Sequence, residues 1–147
     1  MRDQALELYR LLDEHRREEF SALVRRVSVP DAEVIEPGGP QGLEEALAGW
    51  VALLDAVDDL TFDTVAITES EGRLVIEHLV HGTHTGPLRT TAGEIPATGR
   101  VLRVPAATVL EHEGGLMRRY RFYYDQLALL SQLGVLEAGG GGVVRDR

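Results

Sequence analysis

The segment His81-Gly82-Thr83-His84-Thr85-Gly86-Pro87-Leu88 decides the fold of this chain together with two segments that follow it. The second reads Ile95-Pro96-Ala97-Thr98-Gly99-Arg100, and the third reads Asp125-Gln126-Leu127-Ala128-Leu129-Leu130-Ser131-Gln132-Leu133-Gly134. The apolar run over residues 74–81 predicts a long strand that leads into the first segment. The third segment has leucines at helical spacing, so we expect a helix over residues 126–133.

The pattern outside these segments predicts helices first and antiparallel strands afterwards, which is an α+β arrangement. Predicted helices cover residues 3–14, 20–27 and 41–57, with Pro30 ending the second stretch. Predicted strands cover residues 32–36, 62–70, 74–81, 101–111 and 116–124. We expect one domain over residues 1–136 and a flexible, glycine-rich tail over residues 137–147.

The three segments, in this order, resemble the signatures of the SnoaL-like polyketide cyclases, small proteins of the nuclear-transport-factor-like fold. In that family a strand runs into GTHTG, a short loop carries P-x-T-G-R, and the last strand enters a C-terminal helix that reads D-x-L-x-LL-x-QLG. The resemblance covers roughly residues 5–136. It implies a cone in which helices lie in the concave face of a strongly curved sheet and leave an internal pocket.

The composition is typical of a cytoplasmic protein that acts on a small molecule. The formal net charge of −9 opposes nucleic-acid binding, which requires a basic face. There is no cysteine, no apolar run approaches the roughly 20 residues of a membrane span, and residues 1–8 lack a signal-peptide core. We expect neither a nucleic-acid nor a membrane partner. We do expect a homodimer, because strand alternation places Leu79, Val101 and Val109 on the outer face of the sheet.

The family's proton-transfer pair is missing from the positions where the resemblance would place it. In the family, one Asp opens the C-terminal helix, and the acid/base Asp lies three residues before it. Asp125 matches the Asp that opens the helix, so the catalytic position falls on Phe122. The partner His, fourteen residues earlier, falls on Thr108. Phe122 cannot transfer a proton, and Thr108 is not a useful base. The chain therefore uses another base or closes a ring that needs none.

Strand alternation selects the side chains that would line the pocket. His78 is the inward group that we expect to titrate near neutrality, and Glu36 stands where the family often has an acid. Each such residue also has a simpler role as a hydrogen-bonded core or strand-end residue. The candidate catalytic residues are His78, Glu36 and Tyr124, and the candidate substrate-binding residues are Trp50, Thr108, Tyr120, Phe122, Val80 and Arg118.

No metal or other cofactor is expected. His78, His81 and His84 lie three residues apart along a strand, so neighbouring members of the set point to opposite faces. The glycines of the first segment match neither a P-loop nor a dinucleotide fingerprint.

The resemblance and the missing pair together predict a cyclase that closes a ring in a hydrophobic polyketide without the family's aldol chemistry. A cycloaddition or conjugate addition within an apolar, aromatic pocket fits this prediction, since holding one folded conformer can accelerate such a reaction. Two alternatives stay open. One is an epoxide-opening hydrolase or isomerase on the same fold, and the other is a non-catalytic module that binds a ligand or dimerises.

Overall fold

Six strands form one curved sheet flanked by helices in the part of the chain that the structure, a computed structural model, describes (residues 1–136). The helices are α1 (Arg2–Asp13), α2 (Arg17–Val27), α3 (Leu43–Ala56) and α4 (Gln126–Gln132). The strands of the sheet are β1 (Ser28–Glu36), β2 (Gly39–Gly42), β3 (Thr61–Ser70), β4 (Arg73–Thr83), β7 (Val101–Glu113) and β8 (Leu116–Tyr124). The short strands β5 (Leu88–Thr90) and β6 (Gly93–Ile95) form a separate hairpin.

The strand order is β2-β1-β8-β7-β4-β3, and all neighbours are antiparallel except β1 and β8. Left-handed glycines make the turns of the two long hairpins: Gly72 has φ 70°, and Gly114 and Gly115 have φ 59° and 79°. Residues with a Cβ rarely adopt this backbone, so the glycines help to fix where each hairpin turns.

Burial changes along the inner face of this sheet. On β4, Leu74 and Ile76 are fully buried, whereas Val80 is half-buried. On β8, Tyr120 is buried, whereas Phe122 is half-buried. The inner face is therefore fully covered near the hairpin turns and less covered around Val80 and Phe122, a region that we call the open end.

The predicted α+β architecture is confirmed, with shifted boundaries. Strand β1 begins at Ser28, before the predicted start at residue 32, because α2 ends at Val27 and the chain continues extended through Pro30. Residues 39–42 form β2, where the start of a helix was predicted. This stretch has no apolar alternation and is held by backbone pairing with β1. The predicted tail over residues 137–147 lies outside the described residues.

Within residues 1–136, no helix has the length and apolar character needed to cross a membrane.

Candidate functional site

The two positions at which the resemblance leads us to expect the family's proton-transfer pair lie on neighbouring strands. Thr108 on β7 lies directly opposite Phe122 on β8. In the neighbouring inward row, Ala106 lies between His78 and Tyr124. Side chains that pair in this way lie on the same face of a sheet. Four predicted site residues therefore share one patch of the inner face.

A chain of polar side chains crosses this patch. The Tyr9 hydroxyl lies 2.6 Å from Thr108 Oγ1, and His78 Nε2 lies 3.4 Å from the same oxygen. The His78 imidazole packs 4.2 Å from the Tyr9 ring and 5.8 Å from the Phe62 ring, measured between centroids. His78 is only 2% exposed, and its Nδ1 has no hydrogen-bond partner within residues 1–136.

Tyr9 is the residue of this patch that the sequence did not predict. The helical stripe of α1 placed it beside the core, next to the buried Leu8 and Leu12. A tyrosine among leucines on such a face signals a buried hydroxyl that needs a polar partner. The sequence does not say that the partner is Thr108, which lies 99 residues away.

The described polar groups of this patch do not titrate near neutrality. Burial lowers the pKa of His78 to about 4, so its imidazole is neutral at physiological pH. Burial raises the pKa of Tyr9, and it raises that of Tyr120 to about 12. Burial and the negative charge of Glu36 raise the pKa of Tyr124. The expectation that His78 titrates near neutrality is therefore wrong, since the fold removes this side chain from water.

Glu36 and Trp50 interact beside the open end of the cone. The Glu36 carboxylate accepts hydrogen bonds of 2.6 Å from Trp50 Nε1 and from Gln41 Nε2. The Trp50 ring lies 5.6 Å from the Tyr120 ring between centroids. Glu36 is half-buried and two residues beyond Val34, which pairs with Tyr120. Trp50 thus covers the buried part of β8 and also fixes the direction of the carboxylate.

Arg118 does not face the interior, which corrects the prediction from strand alternation. A bulge interrupts the pairing of β7 with β8 between Glu111 and His112 and shifts the alternation at this point. Met117 is consequently the fully buried residue, and Arg118 forms a 2.7 Å ion pair with Glu113. With 56% of its side chain exposed, Arg118 is a surface residue.

The internal cavity expected between Trp50, Phe122 and Tyr124 stays a prediction. Two open clefts in the described part of the chain lie elsewhere, one of about 590 Å³ at the hairpin turns and one of about 250 Å³ between α1 and α2. The rings of Phe122 and Tyr124 pack against each other, with 5.5 Å between centroids. Together with Trp50, these side chains form a half-buried aromatic group at the open end.

The three histidines of the β4 region do not converge. His81 pairs with Asp63 at 2.9 Å, whereas His84 is fully buried and its Nδ1 lies 2.9 Å from Thr98 Oγ1. No cluster of three potential metal ligands occurs within residues 1–136.

The signature segments meet in one region, which we call the braced end (residues 83–86, 98–103 and 125–134). His84 exchanges backbone hydrogen bonds of 2.8 Å with the second segment, through Gly99 and Arg100. The Gln132 side chain binds both the N–H and the C=O of Arg103, at 2.7 and 2.9 Å. Asp125 caps α4 by accepting a 3.0 Å hydrogen bond from the N–H of Ala128. The signatures therefore join the helix, the loop and the strand ends to one another.

A curved sheet with helices in its concave face and a half-buried group at one end defines an α+β cone of the nuclear-transport-factor-like class. The chain belongs to the SnoaL-like polyketide cyclase family, whose model matches residues 5–133. No curated protein matches it.

Solved structures support the fold. A candidate SnoaL-like polyketide cyclase from Jannaschia sp. CCS1 is 22% identical, with a TM-score of 0.75 over 89% of this chain and 92% of its own. AclR, a candidate hydroxylase from Streptomyces galilaeus, is 19% identical, with a TM-score of 0.74 over 90% and 94%. IdmH, a candidate polyketide cyclase from Streptomyces antibioticus, is 21% identical, with a TM-score of 0.71 over 90% and 97%. At these identities the likeness concerns the fold alone.

Proposed function

We propose that this chain is a cytoplasmic cyclase that closes a ring in a hydrophobic polyketide without a proton-transfer pair. The observation that carries the proposal is the pairing of Phe122 with Thr108 on the inner face. The resemblance assigns the family's acid/base residues to these two positions. An aldol closure requires a base to form the enol, and neither side chain can act as one. Family membership supports ring closure, and the replaced pair supports a cycloaddition or conjugate addition.

Such a reaction can be accelerated by conformation alone. Holding a flexible chain with its reacting ends in contact can lower the barrier by several kcal/mol, because the entropy of folding the chain is lost on binding. The half-buried Trp50, Val80 and Phe122 would supply an apolar wall for this purpose. Glu36, His78 and Tyr124 would contribute the few polar contacts.

Substrate entry in this proposal is through the open end of the cone. Phe122 and Tyr124 pack against each other there, and both are half-buried. Rotation of these rings would admit an apolar chain above Thr108. The core near Leu74 and Ile76 is fully buried and would stay unchanged.

Turnover of a linear polyketide, followed by mass spectrometry and chromatography, tests the proposal. We expect Trp50→Ala to reduce turnover by about tenfold or more, since it removes the largest wall residue. Phe122→Asp should not improve turnover, because it puts a charge on an apolar face. The control Tyr123→Phe, at a position 52% exposed on the opposite face, should leave turnover unchanged.

The same assay identifies acid/base chemistry if it occurs. Turnover should vary little between about pH 6 and pH 9, because the inner-face histidine stays neutral over this range. If Glu36→Gln or His78→Ala alone abolishes turnover while the circular dichroism spectrum is unchanged, the shape-driven proposal is wrong.

A non-catalytic ligand-binding module is the second candidate function. The neutral state of His78 and the replacement of the dyad at Phe122 and Thr108 favour it. Recovery of an intact linear polyketide from the protein, with no cyclic product, would support this candidate over the cyclase. The epoxide-opening alternative has less support, because the arginine that it needs in the interior, Arg118, is on the surface.

We also propose that the protein is a homodimer that pairs through the outer face of the sheet. Val101 is 68% exposed on this face, and Leu79 and Val109 are half-buried. An apolar strip of this kind is unfavourable in water and can be covered by a second copy. Sedimentation that shows a monomer at micromolar concentration would contradict the proposal.

A further inference from the structure

Within the proposed function, we infer that the Nδ1–H group of His78 donates a hydrogen bond to a carbonyl oxygen of the substrate. Tyr9 and Thr108 are positioning residues that hold the imidazole in the required tautomer. The ligand class is a conjugated carbonyl compound, such as an α,β-unsaturated ketone or ester. His78 acts here as a neutral electrophilic contact and transfers no proton.

The hydrogen-bond inventory of the three side chains leaves a proton on Nδ1. The Tyr9 hydroxyl has one side-chain partner, Thr108 Oγ1 at 2.6 Å, and we assign its only proton to this hydrogen bond. The Thr108 proton is then available for His78 Nε2, 3.4 Å away, which acts as the acceptor. A neutral imidazole that accepts at Nε2 carries its proton on Nδ1. If Nε2 carried the proton, Thr108 Oγ1 would accept from both Tyr9 and His78, and both the Thr108 proton and Nδ1 would then lack a partner among the described side chains. The tautomer with the proton on Nδ1 leaves fewer groups unpaired.

This Nδ1–H is a buried donor that lacks an acceptor within residues 1–136. A buried polar group without a partner is unfavourable and uncommon in native proteins. Nitrogens of His84, His112 and Gln126 also lack a partner, but His78 alone of the four is linked to Thr108. The unpartnered donor is therefore connected to one of the two positions that the family uses for chemistry.

The residue beside His78 on the inner face is small. The residue registered between His78 and Tyr124 is Ala106, whose methyl group separates two much larger side chains. Ala106 retains 8% exposure, whereas Ile76, on the closed side of His78, has none. A carbonyl oxygen that enters from the open end would meet the imidazole at this level of the sheet.

A neutral donor at this position suits a closure without proton transfer. A hydrogen bond to the carbonyl withdraws electron density from a conjugated alkene, which activates it toward cycloaddition with a diene, a closure that moves no proton. Burial keeps His78 neutral at physiological pH, so the donor is present without an added positive charge. The contact is formed in an environment with little water, where a hydrogen bond is stronger than at the surface.

Nuclear magnetic resonance of ¹⁵N-histidine-labelled protein tests the tautomer directly. We expect the His78 proton on Nδ1 in the wild type at pH 7, and a mixture of tautomers in Tyr9→Phe and in Thr108→Val. Tyr9→Phe keeps the ring against the imidazole, so a merely structural role would leave the nitrogen shifts unchanged. A wild-type His78 that carries its proton on Nε2 would overturn the inference.

Binding of a ¹³C-carbonyl-labelled enone, (E)-3-nonen-2-one, tests the donor. The carbonyl stretch should move to lower frequency in the wild type. His78→Asn keeps an N–H near the place of Nδ1, and His78→Gln keeps one near Nε2 instead. We expect His78→Asn to retain the shift, and His78→Gln to lose it together with about tenfold in affinity, the amount expected for one hydrogen bond.

Equal behaviour of the two variants, an unshifted carbonyl in the wild type, or failure of the wild type to bind the enone would each overturn the inference. A protein that cyclises a linear polyketide without shifting the enone carbonyl contradicts this inference alone. A protein that shifts the carbonyl but yields no cyclic product contradicts the proposed cyclase function instead. The two assays thus separate the two failures.

Discussion

The braced end and the interior patch of Tyr9, His78, Thr108 and Phe122 are built in opposite ways. At the braced end, side chains bind backbone groups of distant segments; Gln132, for example, holds both polar groups of Arg103. In the interior patch, the polar side chains bind one another instead.

This difference shows why the family signatures report fold more directly than chemistry. A signature residue that holds a backbone group constrains the path of the chain, so the fold depends on it. Phe122 and Thr108, which in our proposal replace an acid and a base, lie on adjacent strands whose register is set by backbone pairing and turns. Reaction type can therefore change on a constant frame.

Gly86→Ala should have the largest effect, because the braced end leaves no space for a side chain there. A Cβ on Gly86 would lie 2.2 Å from the backbone oxygen of Asp55. We expect a loss of roughly 3–5 kcal/mol in the free energy of unfolding, measured by urea denaturation. The control Gly49→Ala, where a Cβ meets nothing within 4 Å, should stabilise α3 by about 0.5–1 kcal/mol. Similar midpoints for the two variants would show that the braced end is not tightly packed.

The free energy of unfolding should fall at low pH mainly because of His78 in the interior patch. The pKa of His78 is about 4 in the folded chain against 6.5 when exposed, so the unfolded state binds the proton first. The stability from the neutral histidine is complete above about pH 6.5 and is lost as the pH falls toward 4, by about 3 kcal/mol. His78→Gln should remove this part of the pH dependence, as urea denaturation at pH 4.5 and pH 7 will measure.

His84 provides the matched comparison from the braced end. Burial lowers its pKa as well, and the nearby backbone groups of Gly86 and Ile95 partly offset this effect. His84→Gln should therefore reduce the pH dependence of the free energy of unfolding less than His78→Gln does. If His84→Gln has the larger effect, the braced end and not the interior patch controls acid stability.

The sequence predicts the frame of this protein better than its interior. Helical spacing, glycine turns and the three signature segments are local patterns, and the α+β cone follows from them. The bulge that turns Arg118 outward has no local pattern, and the strand alternation on which its prediction rests fails there. The contact of Tyr9 with Thr108 joins residues 99 positions apart, so no local pattern in the sequence predicts it.

Gln132→Ala is a smaller perturbation of the braced end than Gly86→Ala. The variant loses two exposed hydrogen bonds to the backbone of Arg103, and we expect a cost of about 1 kcal/mol in urea denaturation. The control Gln4→Ala on α1, an exposed position, should be neutral or slightly stabilising. Equal stability of the two variants would mean that water replaces the contacts of Gln132 at no cost.

Arg118→Gln should have the smallest effect on stability. It also distinguishes the cyclase hypothesis from the epoxide-opening hypothesis. Arg118 and its partner Glu113 have 56% and 74% of their side chains exposed, so their ion pair is screened by water. We expect a change of about 0.5 kcal/mol or less in stability, because exposed pairs of this kind contribute little. Turnover of a linear polyketide should be unchanged, since the bulge keeps the guanidinium outside the cone. An epoxide-opening enzyme would need this arginine inside, so a tenfold loss of turnover with an unchanged urea midpoint would restore that alternative. The same result would show that the bulge rearranges when the substrate binds, because the guanidinium could reach the interior only through a change in the pairing of β7 with β8.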